Sequence, residues 1–520
     1  MEPVLIGGEW RQSESVDSFV ALNPNEGRAI DRSFPVSSMA DVEAALDAGV
    51  DASRQLRDVP AVVIVDFLDD YADAIDADKR RIVDTAHDET GLPSSPRLEA
   101  ELARTTDQLR QAARAVRDGS WVTATVDTAS NVRSMYAPLD KPVIVFGPNN
   151  FPIAFNGVAG GDFAAAIAAG NPVIAKANPG HPGTTRYLAE AAVEAIGSSG
   201  VPASLVQLIY RVRGEDGLAF VSDERVGAVG FTGSKRGGLA LKQAADGAGV
   251  PIYLELGSVN PVFLLEGALE ARGEAIAADF YASCTLGAGQ YCTNPGFVVV
   301  PTGEAGDRFV KKAGELFGQG EAETLLGEPG HLGDGVAILE KHGADLMVGG
   351  GLVEGDRFAF ENTLLTITAP EFLDDAAALQ TEVFGPVSLL IRADSPEEMA
   401  AVAAAMEGNL TGGIYSDPSD EAAYAMVEAD LRPRVGRLLN DKMPTGLAVV
   451  PSMNHGGPYP ATGHPGFTAV GIPASIHRFA ALYCYDNVMD HRLPTPLRNK
   501  NPTGSMWRFI DGNWSTDDLS

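Results

Sequence analysis

At 520 residues, 45% of them hydrophobic, the chain is long enough for two or three compact units with sizeable cores, which excludes a small scaffold that depends on covalent staples. A net charge of -31, from 39 basic against 70 acidic residues, excludes nucleic acid as a partner, because neutralising phosphates needs a basic surface. Three cysteines, Cys284, Cys292 and Cys484, without a C-x-x-C pair, exclude a disulfide framework and a structural zinc site, and fit a reducing cytoplasm.

The N-terminus, Met1-Glu2-Pro3-Val4-Leu5, lacks the charged region and apolar run of an export signal, and no later segment reaches bilayer length, so no membrane is expected. Ser38-Met39-Ala40-Asp41 resembles a capping box, and Val42, Ala45, Leu46, Gly49 and Val50 follow at helical spacing. Two more polar helices are expected over 61–87 and 95–117, with a structural role. The Thr, Val and Ser content from Trp121 to Val132 suits an exposed strand in need of a partner.

Five short apolar runs follow: Val143-Phe146, Pro172-Ala175, Val206-Tyr210, Ala228-Phe231 and Ile252-Leu254. Ala-rich stretches of helical composition, such as 157–169 and 187–197, lie between them. Short buried strands alternating with helices predict an α/β fold with a doubly wound parallel sheet, whose ligands bind beyond the carboxyl ends of the strands. Those ends carry Gly147-Pro148-Asn149-Asn150-Phe151-Pro152, Lys176-Ala177-Asn178-Pro179 and Thr232-Gly233-Ser234-Lys235. The last runs into a helix, so its amides can face a pyrophosphate. There is no G-x-G-x-x-G, and alone these glycines read as turn residues.

Two residues carry chemistry. Cys292 in Gly289-Gln290-Tyr291-Cys292 can add as thiolate to an aldehyde, giving a thiohemiacetal whose hydrogen leaves as hydride to a nicotinamide. Glu255 in Leu254-Glu255-Leu256-Gly257 can then activate the water that hydrolyses the thioester. Alone, a cysteine is more often a small buried hydrophobe and a glutamate a solvated charge; their company decides. His455 and His464, amid Gly and Pro with no Cys or Asp at ligand spacing, read as loop histidines, and no metal is expected.

Phe231-Thr232-Gly233-Ser234, the Glu255 strand end, Gly289-Gln290-Tyr291-Cys292 and Glu382-Val383-Phe384-Gly385-Pro386 stand in the order and approximate spacing of the aldehyde dehydrogenase superfamily, which the chain resembles over nearly its whole length. Within it, the chain is most similar to the 2-oxoglutarate semialdehyde (2,5-dioxovalerate) dehydrogenase group. That resemblance rests on Ala159-Gly160-Gly161-Asp162, His181-Pro182-Gly183-Thr184, Asn260-Pro261-Val262, Cys292-Thr293-Asn294-Pro295-Gly296, Pro444-Thr445-Gly446 and His455-Gly456-Gly457-Pro458.

The resemblance implies a cofactor domain over 1–118 and 141–256, a catalytic domain over 257–475, and an oligomerisation arm and tail over 119–140 and 476–520, hence a homodimer or homotetramer. It implies Cys292 as nucleophile, Glu255 as base, and an oxyanion hole from the Asn150 amide and the Cys292 N–H. Lys176 would hold the adenosine ribose or its phosphate, Gly233 and Ser234 the pyrophosphate, Glu382 the nicotinamide ribose, and Phe384 would pack near that ring.

NAD-preferring members often place a Glu three residues after the lysine; Pro179 stands there, so NADP is favoured, with NAD possible, and Arg211 or Arg213 as a second phosphate contact. Phe151, Phe155, Tyr291 and Met443 fall where the family lines its aldehyde tunnel, although no anchor for a distant carboxylate is legible. The chain departs from the group at Gly463-His464-Pro465-Gly466 and Asn440-Asp441-Lys442-Met443. A medium-chain aliphatic or aromatic aldehyde is therefore the rival substrate. From other classes, acyl transfer to coenzyme A and a catalytically idle structural protein are disfavoured by the presence of Glu255, Cys292 and Asn150 together.

Overall fold

The computed structural model of the protein describes residues 1–519. All five apolar runs form strands, and they pair in parallel in the spatial order Ile252–Leu256, Ala228–Gly233, Val143–Phe146, Val173–Lys176, Val206–Ile209. An N-terminal hairpin, Val4–Ile6 and Glu9–Arg11, adds antiparallel to the far edge. The runs Val-Ile-Val-Phe and Val-Gln-Leu-Ile are buried along their whole length, as strands covered by helices on both faces must be.

The earliest strand of the five, Val143–Phe146, lies in the middle. From it the chain winds to one side through 173–176 and 206–209, then returns to the other through 228–233 and 252–256. The reversal between Val143–Phe146 and Ala228–Gly233 is the switch point at which such sheets receive ligands. Gly147–Pro152 and Gly233-Ser234 both leave the sheet there.

A second sheet orders Asp345–Val348, Thr363–Thr368, Val387–Ala393, Phe297–Pro301, Val262–Leu264, Asn409–Tyr415 and Val435–Asn440, parallel except at its first strand. A third, smaller sheet joins Val132–Pro138 to Ala480–Asp486 in antiparallel register, from Val132 opposite Asp486 to Pro138 opposite Ala480. Ala480–Asp486 is an edge strand of that sheet and leaves Leu482 63% exposed. Among the described residues, no helix is long and apolar enough to cross a membrane.

Local details differ from the sequence reading where a polar side chain finds a better partner. Ser38 caps the helix Met39–Leu56 by accepting from the Asp41 N–H at 3.4 Å, but the reciprocal half of the capping box is not formed. Asp41 instead accepts from the Ser13 hydroxyl and from the Glu14 N–H at 3.3 Å. The stretch expected as one helix over 61–87 is two, Ala61–Ala77 and Lys79–Thr90. The break is at Asp78, whose ψ of 16° leaves the helical region while its carboxylate accepts from Arg81 at 2.7 Å.

The His181-Pro182-Gly183-Thr184 motif opens the helix Pro182–Ser199, whose free amides are capped by another segment of the chain. Buried Glu89 accepts from the Gly183 N–H, the Thr184 N–H and the Thr184 hydroxyl at 2.7, 2.8 and 2.8 Å. A Cβ at Gly183 would stand 2.7 Å from Glu89 Oε1, so the cap requires glycine. On the same helix a Cβ at Gly197 would meet nothing within 4 Å. Gly197→Ala is therefore expected to stabilise by about 0.5–1 kcal/mol through helix propensity, and Gly183→Ala to destabilise by about 1–3 kcal/mol through crowding. Urea unfolding of the two variants checks this; equal shifts of the same sign would refute the Glu89 cap.

Candidate active site

The chain leaves the helix Glu266–Thr285 through Gly287, Ala288 and Gly289, three residues at positive φ of 57°, 53° and 69°. This left-handed turn brings Cys292 round to face the first sheet. A Cβ at Gly289 would stand 2.3 Å from the Gly385 carbonyl oxygen, so the Glu382-Val383-Phe384-Gly385-Pro386 segment packs directly on the turn. Asn294 Nδ2 donates to the same Gly385 oxygen at 2.9 Å. Asn260, itself at a φ of 48°, places Nδ2 2.9 Å from the carbonyls of both Cys292 and Asn294. Asn409 Oδ1 in turn accepts from the Val259 and Asn260 N–H groups at 3.1 Å. Motifs scattered over the sequence thus meet as supports of one peptide.

The structure brings Cys292 and Glu255 together, with a third group between them. His455 Nε2 lies 3.4 Å from Cys292 Sγ and 2.6 Å from Glu255 Oε1, and the ligating atoms of all three fall within 4.8 Å of one another. Glu255 is 4% exposed and His455 2%. Burial alone would push the imidazole down, but the Glu255 carboxylate and Cys292 beside it raise its pKa to about 10. In its protonated form it is placed to stabilise negative charge on the sulfur.

His455 does lie in a loop, but a buried one that makes it a member of the site. Its glycine neighbours mark close packing, since a Cβ at Gly436 would lie 1.8 Å from the Gly456 oxygen. That density of glycine around a histidine was the available signal. His464 stays outside, against the rings of Tyr253 and Phe467. Asp162, from the Ala159-Gly160-Gly161-Asp162 motif, is buried near Glu255 and paired with Arg478 at 2.7 Å. Of the other cysteines, Cys284 is buried, which pushes its thiol up to about 12, and Cys484 is exposed on the arm.

Cys292 and His455 open onto a cavity of about 420 Å³. Phe151, Phe155 and Tyr291 line it, with Phe151 edge-on to Phe155 at 5.4 Å and to Tyr291 at 5.6 Å. Met443 does not join them: it packs with Val262, Leu264 and Cys284 in the apolar layer against the second sheet, and Gly446 and Leu447 reach the cavity in its place. Asn150 is buried, and its Nδ2 donates to the Gln290 carbonyl at 3.0 Å. An amide nitrogen carries two hydrogens, so one remains for an oxyanion next to Cys292. The helix Glu99–Asp118, expected to be structural, contributes Glu101 and Arg104 to the wall, and Arg97 stands just before it.

On the other side, the strand ends form a cradle suited to a dinucleotide. Ser234 caps the helix Lys235–Ala248, accepting from the Gly237 N–H at 3.3 Å, with Gly233 closing the strand before it. Lys176 ends its strand with its ammonium pushed down to about 8 by burial and by the like charge of Arg211. No acidic group acts on it, so the lysine is a cation awaiting an anion. Arg211, rather than Arg213, is the arginine whose charge acts on it; both are exposed, and Arg213 caps the start of the helix Gly214–Val221. Glu382 lies over Gly257, where a Cβ would stand 1.9 Å from its Oε2. Burial pushes its carboxyl up to about 7, against the pull of Lys235. Phe384 follows, its carbonyl accepting from Gln290 Nε2 at 3.3 Å. The residues present therefore fit a phosphate-bearing nucleotide.

Residues 10–457 match the aldehyde dehydrogenase family. The chain is 40% identical to the alpha-ketoglutaric semialdehyde dehydrogenase 2 of Azospirillum brasilense over 98% of both proteins. It is 34% identical to the alpha-ketoglutaric semialdehyde dehydrogenase of Acinetobacter baylyi over 96% of this chain and 97% of that one. Its fold is that of lactaldehyde dehydrogenase from Escherichia coli, at a TM-score of 0.80 and 22% identity, covering 93% of this chain and 98% of the other. With its thiol, carboxylate and cofactor cradle arranged as described, the chain belongs to the aldehyde dehydrogenase family and is an NAD(P)-dependent aldehyde dehydrogenase.

Proposed function

We propose that the enzyme oxidises 2-oxoglutarate semialdehyde to 2-oxoglutarate, with NADP as the preferred cofactor. The observation that carries the mechanism is the contact of His455 with both Cys292 and Glu255 at the wall of one cavity. The Cys292 thiolate attacks the aldehyde carbon. The resulting oxyanion is received by the free Asn150 Nδ2 hydrogen and the Cys292 N–H. Lys176, Gly233, Ser234, Glu382 and Phe384 would hold a nicotinamide cofactor, which would accept the hydride lost as the oxyanion collapses to the thioester. Glu255 then takes a proton from water as its oxygen adds to the thioester, and collapse of that adduct returns the thiolate to the imidazolium of His455.

The substrate reading is supported by two full-length relatives named for alpha-ketoglutaric semialdehyde and by Arg97 and Arg104 in a wall that also carries Phe151, Phe155 and Tyr291. Acyl transfer to coenzyme A is disfavoured, because a buried carboxylate beside the sulfur serves water. The edge strand Ala480–Asp486, with exposed Leu482 and Tyr483, favours a homodimer built by pairing that edge with a second copy.

Three measurements address this reading. The ratio of kcat/KM for 2-oxoglutarate semialdehyde over hexanal, at saturating NADP, is expected to lie well above one; a ratio below one would move the enzyme to the aliphatic aldehydes. Arg211→Ala should raise KM for NADP about tenfold or more while leaving that for NAD nearly unchanged, since one charge-assisted phosphate contact is lost. Equal changes for the two cofactors would remove Arg211 from the phosphate site.

The third concerns His455. Its folded-state pKa of about 10 lies above the ordinary imidazole value of 6.5, so the proton it holds stabilises the fold fully below pH 6.5 and that contribution is lost as pH rises towards 10. The melting-temperature difference between wild type and His455→Asn should therefore shrink over that range. A difference independent of pH would mean that His455 is not an imidazolium in the folded enzyme.

A further inference from the structure

We propose that Arg104 is the residue that binds the remote carboxylate of the substrate, and so selects short aldehydes bearing a 2-oxo acid over uncharged ones. The proposal rests on the reading of Cys292 as the nucleophile of this cavity. Arg104 lies in the cavity wall with Cys292, on the helix Glu99–Asp118. Its Nε and Nη2 are shielded from solvent and have no hydrogen-bond partner. A guanidinium carries five donors in a planar fork, and leaving them desolvated and unpaired is costly. Burial accordingly lowers its pKa, and the charges of Glu101, Glu255 and Cys292 oppose that shift.

The neighbouring carboxylates are already engaged. Glu101 Oε1 accepts from the Ile153 and Ala154 N–H groups at 2.8 and 2.9 Å, and its Oε2 is taken by Arg97. Glu323, also on the cavity, accepts from the Ala288 N–H at 3.1 Å. Both terminal nitrogens of Arg97 are occupied in turn, by Glu101 and by the Asn150 carbonyl at 2.9 Å, which leaves only its Nε without a partner. Arg104 is the cation in this wall with its fork unspent. Its guanidinium carbon sits 4.9 Å from the Phe155 ring centre and 5.4 Å from that of Phe151. The rings hold the planar group in place and offset part of its desolvation, but they satisfy none of its in-plane N–H donors.

A ligand that completes the site has an aldehyde at one end for Cys292 and a planar anion at the other for the fork. An extended five-carbon chain separates its end carbons by roughly 5 Å, a span that a cavity of 420 Å³ accommodates. Carboxylate and guanidinium then meet in the bidentate geometry that both prefer. The same wall explains why a protein of charge -31 can bind an anion here: one unspent arginine in a desolvated pocket outweighs screened charges on the surface.

Steady-state kinetics of wild type, Arg104→Leu and Arg104→Lys, with 2-oxoglutarate semialdehyde and with pentanal, test the assignment. The ratio of kcat/KM for the semialdehyde over pentanal should fall about 100-fold in Arg104→Leu, chiefly through KM, and recover in part in Arg104→Lys. Glutarate should compete with pentanal in wild type and cease to do so in Arg104→Leu. An unchanged ratio in Arg104→Leu, with the wild type preferring the semialdehyde, would overturn the anchor and leave the substrate reading standing. Should the wild type prefer pentanal, the substrate reading fails; Arg104 as an anion site then survives only if glutarate competition is present in wild type and absent in Arg104→Leu, and falls otherwise.

Discussion

The buried carboxylate of Glu255 sets the conditions for the centre of this molecule. Neither of its oxygens makes a well-directed hydrogen bond, and an ionised group so shielded from water must be compensated by a nearby cation. His455 is that cation. Its Nε2 faces Cys292 as well, so one imidazole touches both the carboxylate and the sulfur. Base, nucleophile and compensating cation are therefore one electrostatic unit, and Asp162 with Arg478 forms a second buried pair behind it.

Holding that unit together falls to backbone contacts between the two large sheets. Glu255 ends a strand of the first sheet, and the segment that follows His455 pairs back to it through Glu255 with Thr462 and through Leu256 N–H to the Ala461 carbonyl at 2.9 Å. Cys292 lies in the turn before the second-sheet strand Phe297–Pro301, fixed by Asn260 and by the packing of Gly289 on Gly385. Gly257 lets Glu382 approach the same strand end. Glycine recurs at these points because two backbones, or a backbone and a carboxylate, occupy space that a Cβ would need.

Cations are distributed sparingly against the acidic background. Lys176 and Arg211 stand together at one strand end, and Arg104 stands in the cavity wall with Nε and Nη2 unpaired. Many other arginines are spent on ion pairs, as in Arg225 with Asp223, Asp47 and Glu43 or Arg186 with Glu2 and Glu190, and buried Arg508 on backbone carbonyls. In a chain with this charge, an unpaired buried cation is informative: it marks where an anion is expected to arrive.

The sequence by itself determined the α/β class, the five parallel strands and the pairing of Cys292 with Glu255. Strand runs such as Val143–Phe146 are continuous in hydrophobicity because both faces are covered, and nucleophile and base each sit in a short motif whose order along the chain is informative. Tertiary structure alone decided the rest. His455 reads as a loop residue because nothing local says that its Gly-rich segment is packed on a strand 200 positions earlier in the chain. The helix carrying Arg104 reads as structural because its polar periodicity is the same whether the polar face meets water or a cavity. Met443 was displaced from the cavity by the course of its loop, and the 61–87 helix was divided at Asp78 by one side-chain hydrogen bond. Composition and period record which residues leave water; which of them meet is settled only when distant segments pack.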